Sequence, residues 1–416
     1  MPVPNNILQT VETYAMASLA YLVNSNCFIG TANTQFDDFE RTYPANLGQT
    51  ITFTKPFRMT ASDGLVASLQ GIEERKQSLT VDKAKNVGMA VTAQELIFNV
   101  DRFMDDIGKA AILELGSQIE QDIANLCVTA PYRFYGDGLT PINSFQQLAE
   151  GLAQFRTFGA SRDDTVMYLN DLAIPTILNS GLNQFAPDRN NDIANTWEIA
   201  NWQGVKFCSS NLLPRHIAGT EGQAQNQLTV VSVTKNADGG ITSITFSGTT
   251  SATDPDCVKE NDKFQFVDNV SGQPNVRFRH FIGHSVSSAP VQFRATADAA
   301  AAGSQVTVTI EPALQAASGK NQNLSTEIVA GMKVLPLPNH RAGMIQSGNQ
   351  LYIAVPRLPS EAPAYSAEVT DPETGVSLRM YTGAAFGQNL HGTVYDCIWG
   401  KTQVSDNCMS LIFPDN

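Results

Sequence analysis

Gly48-Gln49-Thr50-Ile51-Thr52-Phe53-Thr54-Lys55-Pro56 alternates apolar and polar side chains and halts at a proline. A half-buried strand has that period of two, and proline, with no amide hydrogen to donate, ends its ladder. Downstream, Leu79-Thr80-Val81 and Val87-Gly88-Met89-Ala90-Val91 alternate in the same way. Between the runs lies a polar stretch with Glu73-Glu74-Arg75-Lys76, the one dense charge cluster outside predicted helices. The pattern predicts a long two-stranded excursion over 48–92 with a charged tip. An isolated hairpin is marginal in water, so a long one needs a surface to lean on. That surface is either its own domain or another copy of the chain, and both stay open here. Glu73, Glu74, Arg75 and Lys76 are accordingly candidate inter-subunit contacts, with a solvated loop tip as the alternative. Exposed ion pairs contribute only about 0–1 kcal/mol each, so these would select register rather than supply affinity.

On the C-terminal side, Thr92-Ala93-Gln94-Glu95 has capping-box spacing, a threonine side chain for the first turn and a glutamate reaching back. A helix is predicted from there to about Cys127. Leu96, Val100, Phe103 and Ile107 form one stripe, continued by Ile112, Leu115, Ile119, Ile123 and Leu126. At helical rise it spans roughly 50 Å, with Gly108 and Gly116 as possible kinks. On the N-terminal side, Leu8, Val11, Met16 and Leu19 recur at helical spacing and predict a short helix, Ile7 to Val23, on an arm that must dock elsewhere.

Further along, Phe145, Leu148, Leu152 and Phe155 predict a helix over 145–160. Thr165–Leu169 reads as a strand leading into a helix begun by Asn170 or Asp171, and Trp202–Phe207 as another strand. From about 222 short strands dominate. Leu228–Val233 and Ile241–Phe246 flank Asp238-Gly239-Gly240, a hairpin signal, and Phe264–Val267, Val291–Arg294 and Val306–Ile310 follow. Such texture over 222–338 predicts a small barrel or sandwich. Strands are then predicted at Gln350–Val355, Val376–Tyr381, Thr393–Trp399 and Cys408–Phe413.

Composition narrows the function. The 416 residues carry 40 carboxylates against 27 Lys and Arg, a net charge of −13. A protein that neutralises phosphates needs the opposite sign, which argues against sequence-specific nucleic-acid recognition. A weakly repelling wall can still enclose a polyanion. Charged residues make up only 16%, against about 25% in typical domains; Gln, Asn, Ser and Thr supply polarity that subunits packed in a lattice tolerate well. Cys27, Cys127, Cys208, Cys257, Cys397 and Cys408 are scattered without C-x-x-C spacing and read as reduced, mostly buried thiols. Met1-Pro2-Val3-Pro4-Asn5-Asn6 lacks the basic and apolar regions of a secretory signal, and no apolar run approaches the ~20 residues that cross a bilayer. A cytoplasmic product is expected.

Catalytic patterns are not evident. Of the five histidines, His280 and His284 stand four apart, yet sit among Val276, Phe278, Phe281 and Ile282 in a strand-rich region. There is no H-E-x-x-H, no G-x-S-x-G and no phosphate-loop glycine-lysine motif. Glu114, Glu120 and Asp122 lack the Glu-x-x-His pairs of a di-iron bundle. No catalytic, metal or cofactor-binding residue is assigned and no enzyme activity or cofactor is expected.

Taken in order, the parts resemble the HK97 fold of tailed-phage major capsid proteins. Gly48–Pro56 resembles the strand that opens that family's E-loop. Trp202-Gln203-Gly204-Val205 with Ser209-Ser210-Asn211-Leu212-Leu213-Pro214 resembles its axial-domain segment, and Gly375-Val376-Ser377-Leu378-Arg379 its returning peripheral strand. The β-rich 222–338 resembles the insertion domain of the short-tailed-phage branch. The resemblance implies an α+β chain divided as N-arm 1–47, E-loop hairpin 48–92, spine helix and peripheral domain 93–160, axial domain 161–221, inserted β-domain 222–338, axial return 339–372 and closing peripheral strands 373–416.

It further implies hexamers and pentamers in an icosahedral shell around double-stranded DNA, assembled in a bacterial cytoplasm with a scaffolding protein and a portal protein and without a membrane. Lys76, Lys83 and Lys85 lie near the loop that some family members cross-link; that chemistry is not carried over. Three other readings compete, of which a hydrolase with an unrecognised triad is disfavoured by the lack of a nucleophile motif. A cellular nanocompartment shell would share the fold but not explain the large β-insert. An extracellular β-rich adhesin would fit the Thr/Ser-rich strands but not the missing signal sequence.

Overall fold

A computed structural model describes residues 48, 50–61, 69, 71–72, 74–92, 109–160, 163–171, 173–179, 204–281, 283–358, 366–371, 376–384 and 390–415, with 15–16, 18–20, 22 and 27–33 near the N-terminus. The first elements are β1 (Thr50–Thr54), β2 (Lys76–Thr92), α1 (Lys109–Ala124), α2 (Leu126–Thr129), β3 (Phe134–Tyr135) and α3 (Phe145–Thr157). Next come β4 (Thr165–Asn170), α4 (Ile174–Asn179), β5 (Val205–Ser210), β6 (Arg215–His216) and α5 (Thr220–Ala224). The strand-rich part holds β7 (Leu228–Lys235), β8 (Ile241–Ser247), β9 (Thr253–Val258), β10 (Lys263–Phe266), β11 (Arg277–Arg279) and β12 (Val286–Pro290). It continues with β13 (Gln292–Ala295), β14 (Ala299–Ala302), β15 (Gln305–Leu314) and β16 (Lys333–Pro336). The chain closes with β17 (His340–Gln346), β18 (Leu351–Ala354), β19 (Ser366–Thr370), β20 (Ser377–Ala384), β21 (Leu390–Gln403) and β22 (Cys408–Pro414).

Two compact units result, each assembled from separate stretches of chain. The first holds 1–54, 76–124 and 349–403, and is built on a sheet of order β1-β2-β21-β20-β19, with β18 also on β21. The predicted excursion is present at its base: Thr50 pairs with Thr80 and Thr54 with Lys76, antiparallel. Ile51 points inward and Thr50, Thr52 and Thr54 outward, as the alternation requires. Beyond that, β2 runs along β21 from Val81 opposite Gly400 to Thr92 opposite Leu390, with a register shift after Val81. Gly400 is needed there, because a Cβ would come within 2.4 Å of the Thr80 carbonyl oxygen.

The α1 stripe Ile112, Leu115, Ile119 and Ile123 is buried as its periodicity predicts, about 1.5–3 kcal/mol per side chain as an upper estimate. Gly116 does not interrupt α1. Thr92, predicted to cap the long helix, is the last residue of β2, opposite Leu390 of β21. Residues 93–108, Gly108 among them, lie outside the described residues. In the arm, Ala15, Met16, Ser18 to Ala20 and Leu22 are helical, with Leu19 buried and Met16 exposed.

The second unit holds 55–75, 125–348 and 404–416. A mixed sheet runs β3-β22-β17-β4-β5, with β6 also on β17; β22 with β3 and β4 with β5 are parallel, the other pairs antiparallel. On α3 the Ser144 hydroxyl accepts from the Gln147 amide and the Gln147 side chain returns the bond, a capping box that fixes the start of the helix. The observed strand β5 begins at Val205, three residues later than predicted.

Strands between β7 and β16 form a sheet of order β13-β10-β16-β7-β8-β15, and β13 pairs again with β15, so six strands close into a ring. β14 and β9 extend it from β15. Closure removes open edges, and the alternating Val306, Val308 and Ile310 of β15 point into the interior. There Phe264 and Phe293 lie near-parallel at 5.2 Å between centroids, with Phe246 at 6.0 Å from Phe264. The Asp238-Gly239-Gly240 hairpin forms as predicted: Gly239 has φ +81°, and Asn236 Oδ1 accepts from the Gly240 amide at 2.7 Å. Residues 373–416, expected as one set of closing strands, divide between the sheets: β20 and β21 belong to the first unit, β22 to the second. Strands β17 and β19 were not anticipated.

Candidate functional site

No group of three His, Cys, Asp or Glu among the described residues has the arrangement of a metal site. Among them, no helix is long and apolar enough to cross a membrane. The considered carboxylates are engaged structurally: Asp122 accepts from Trp399 Nε1, and Glu114 from Gln118. His280 flanks β11, while His284 adopts φ 48° in the following turn, so the two are not one face of a helix. Cys127, Cys257, Cys397 and Cys408 are buried and Cys27 and Cys208 half-buried. Burial pushes the Cys397 thiol up to about 12, away from nucleophilic chemistry at neutral pH.

Buried polar groups cluster elsewhere, in the second unit. Lys263 is fully buried, donates to Ser410 Oγ, and Ser410 donates to the Cys127 carbonyl. Burial, and then the Arg294 charge, lower the Lys263 pKa to about 7. His216 Nε2 lies 2.8 Å from Asp262 Oδ1, and its ring lies 5.3 Å from that of His340. Burial, with Lys263 nearby, lowers the His340 pKa to about 3, so that ring is neutral. A lysine beside a serine and an aspartate beside a histidine are the parts of hydrolytic sites. Here Lys263, Ser410 and His340 have no exposure to solvent; Lys263 and Ser410 are bonded to each other and on to the Cys127 carbonyl, while His340 Nδ1 lies 2.7 Å from the Pro338 carbonyl oxygen.

The excursion is the better candidate. Of the β2 side chains described, only Leu79 and Val81 are buried; these two, Ile51, Ala354 and Ile398 form a small core at its base. The strand is therefore paired through its backbone while most of its side chains stay half-buried or exposed. Between β1 and β2, Phe57 is 54% exposed, Met59 49%, Leu69 96% and Ile72 72%. Isolated exposed apolar residues are ordinary; here four of the described residues fall within sixteen positions of one link.

The charge cluster is split. Arg75 Nη1 lies 3.1 Å from Asp406 Oδ2 within the second unit, Glu74 is exposed, and Lys76 opens β2 opposite Thr54. Glu73 lies outside the described residues. Arg58 joins Arg75 on Asp406, with Nη2 2.7 Å from Oδ2, and its guanidinium covers the Phe281 ring at 3.4 Å. Arg133 is fully buried, within 5 Å of the Tyr132, Phe158 and Phe278 ring centroids, and donates to the Asp406 carbonyl. Burial alone would raise the Asp406 pKa, but Arg58, Arg133 and Arg75 together hold it below the usual carboxylate range. Sequence reading singled out Arg75 but missed Arg58, Arg133 and Asp406, which are far apart in the chain and share no motif.

No protein-family model matches the chain. No curated protein matches it either. Among solved structures it is similar to a chain from Mycobacterium phage Che8, at 9% identity and a TM-score of 0.44 over 93% of this chain and 90% of that one. It is also similar to a chain in the capsid structure of the cyanophage P-SCSP1u, at 11% identity and a TM-score of 0.40 over 92% and 89%. A third similar chain is in the acidic stable capsid structure of Helicobacter pylori bacteriophage KHP30, at 8% identity and a TM-score of 0.43 over 92% and 87%. The likeness is loose at these values and spans nearly the whole chain.

Proposed function

We propose that this chain is a structural protein, the major capsid subunit of a tailed double-stranded DNA phage with the HK97 fold. The observation that carries the reading is the exposure of Leu69 and Ile72, 96% and 72%, in the link between β1 and β2, together with the few buried side chains among those described in β2. Burying side chains of this size releases about 1.5–3 kcal/mol each. One such contact is weak, but repeated around a closed symmetric shell it gives cooperative assembly that can still correct errors. Glu73, Glu74 and Lys76 are proposed to select the register of that contact, while Arg75 is held within its own unit by Asp406.

On this reading the closed sheet between β7 and β16 corresponds to the inserted β-domain of the short-tailed branch. Copies assemble as hexamers and pentamers, guided by a scaffolding protein, with a portal at one vertex and DNA enclosed without sequence-specific binding. The net charge of −13 suits a wall that repels its contents weakly. The test is expression with and without a scaffolding partner, imaged by negative-stain electron microscopy. Closed shells or polymeric tubes are expected; a chain that remains a compact monomer under both conditions would rule the reading out.

A further inference from the structure

The second unit contains a small cavity beside the arginine cluster, of about 70 Å³, lined by Phe57, Arg58, Arg75, Phe281, Asp406 and Asn407 among others. Its charge is unbalanced. Arg58, Arg75 and Arg133 converge on Asp406, and Lys55 lies within electrostatic reach of Asp406, Arg75 and Arg58. The other nearby carboxylate, Glu311, is already paired with Arg294. Four cations thus gather around Asp406, in a protein whose overall charge is strongly negative.

Hydrogen bonding is also incomplete. Arg75 places Nη1 on Asp406 and Nη2 on the Pro56 carbonyl, while its buried Nε–H meets no acceptor among the described residues. A buried guanidinium donor left without an acceptor is unfavourable, so an anion that takes it gains both charge and hydrogen-bond terms. The apolar walls from Phe57 and Phe281 lower the local dielectric and strengthen that attraction.

We propose that this cavity binds a small tetrahedral oxyanion of phosphate size, held by Arg58 and Arg75, with Asp406 as the resident carboxylate that competes with it. The site is independent of whether the chain builds a shell. Phosphate approaches as an anion toward the arginine fork and exchanges no covalent bond.

The test is isothermal titration of the full chain with inorganic phosphate at constant ionic strength, with chloride as the control. Saturable binding of one phosphate per chain at about millimolar affinity or tighter is expected. Arg75→Lys keeps the charge but removes the Nε donor and the fork that reaches Asp406 and the Pro56 carbonyl, and should weaken binding about tenfold. Asp406→Asn removes the competing anion and should bind phosphate about tenfold more tightly. Should Asp406→Asn fold poorly alone, its melting temperature is followed with added phosphate or chloride, and selective recovery in phosphate supports the site. Absence of saturable heat up to about 10 mM phosphate, unchanged affinity in Arg75→Lys, or equal recovery in both salts overturns it.

Discussion

Trp399 Nε1 donates to Asp122 Oδ2 at 2.9 Å, joining the fully buried indole of β21 to the last turn of α1. The other oxygen of the same carboxylate lies 2.8 Å from Lys401 Nζ. One side chain therefore satisfies a buried ring donor and an ammonium whose pKa burial lowers. Asp122→Ala leaves both donors without that acceptor and is expected to cost about 2–4 kcal/mol. Asp122→Asn keeps an acceptor for the indole and should cost less. Urea unfolding of the two variants measures the difference.

The crossing at Gly400 is sterically closed, with the Thr80 carbonyl oxygen 2.4 Å and Leu79 Cδ2 2.9 Å from where a Cβ would sit. Backbone oxygen cannot rotate away as a side chain would. Gly400→Ala is expected to destabilise by about 1–3 kcal/mol through displacement of β2 from β21. Hydrogen exchange should then show faster opening of amides in 81–92 than in the closed sheet of the other unit.

Lys263 titrates near 7 in the folded chain, against an ordinary value of 10.5. Between those values the unfolded chain binds the extra proton, so this residue makes stability rise with pH from about 7 to 10.5. Below 7 both states are protonated and its contribution is flat at its least favourable level. Lys263→Met should remove the slope and gain up to about 4 kcal/mol at pH 7 relative to the native lysine. The check is the difference between the two proteins' unfolding free energies at pH 7 and pH 10; an equal difference at both values contradicts the assignment.

If the β1–β2 link is adhesive, polar substitution there should act on assembly and not on folding. Leu69→Lys with Ile72→Lys removes two side chains that are mostly in water already. The melting temperature should shift by no more than a degree or two, since surface changes of this kind stay within about 0.5 kcal/mol. Sedimentation velocity should show the loss of large particles. Particles forming at the native rate would place the adhesive surface elsewhere.

The excursion, the closed β-rich segment and the α1 stripe were legible because each is a local periodicity: two for Thr50–Thr54 and Val306–Ile310, 3.6 for Ile112 to Ile123. β17 escaped because His340-Arg341-Ala342-Gly343-Met344-Ile345-Gln346 is buried along nearly its whole length and so does not alternate. The helix that Thr92 is expected to cap would begin at residues 93–108, outside the described residues. The arginine cluster was invisible because Arg58, Arg75, Arg133 and Asp406 are brought together only by folding.

The order of residues alone determined those strands and helices whose apolar side chains fall on one face, β15 and α1 among them. It also settled the acidic balance and the lack of a recognisable catalytic motif. Only the tertiary structure decided which strands share a sheet, that six of them close into a ring, and that Asp406 gathers three arginines. Those choices depend on long-range pairing and on desolvation, which act between residues hundreds of positions apart and leave no local pattern to read.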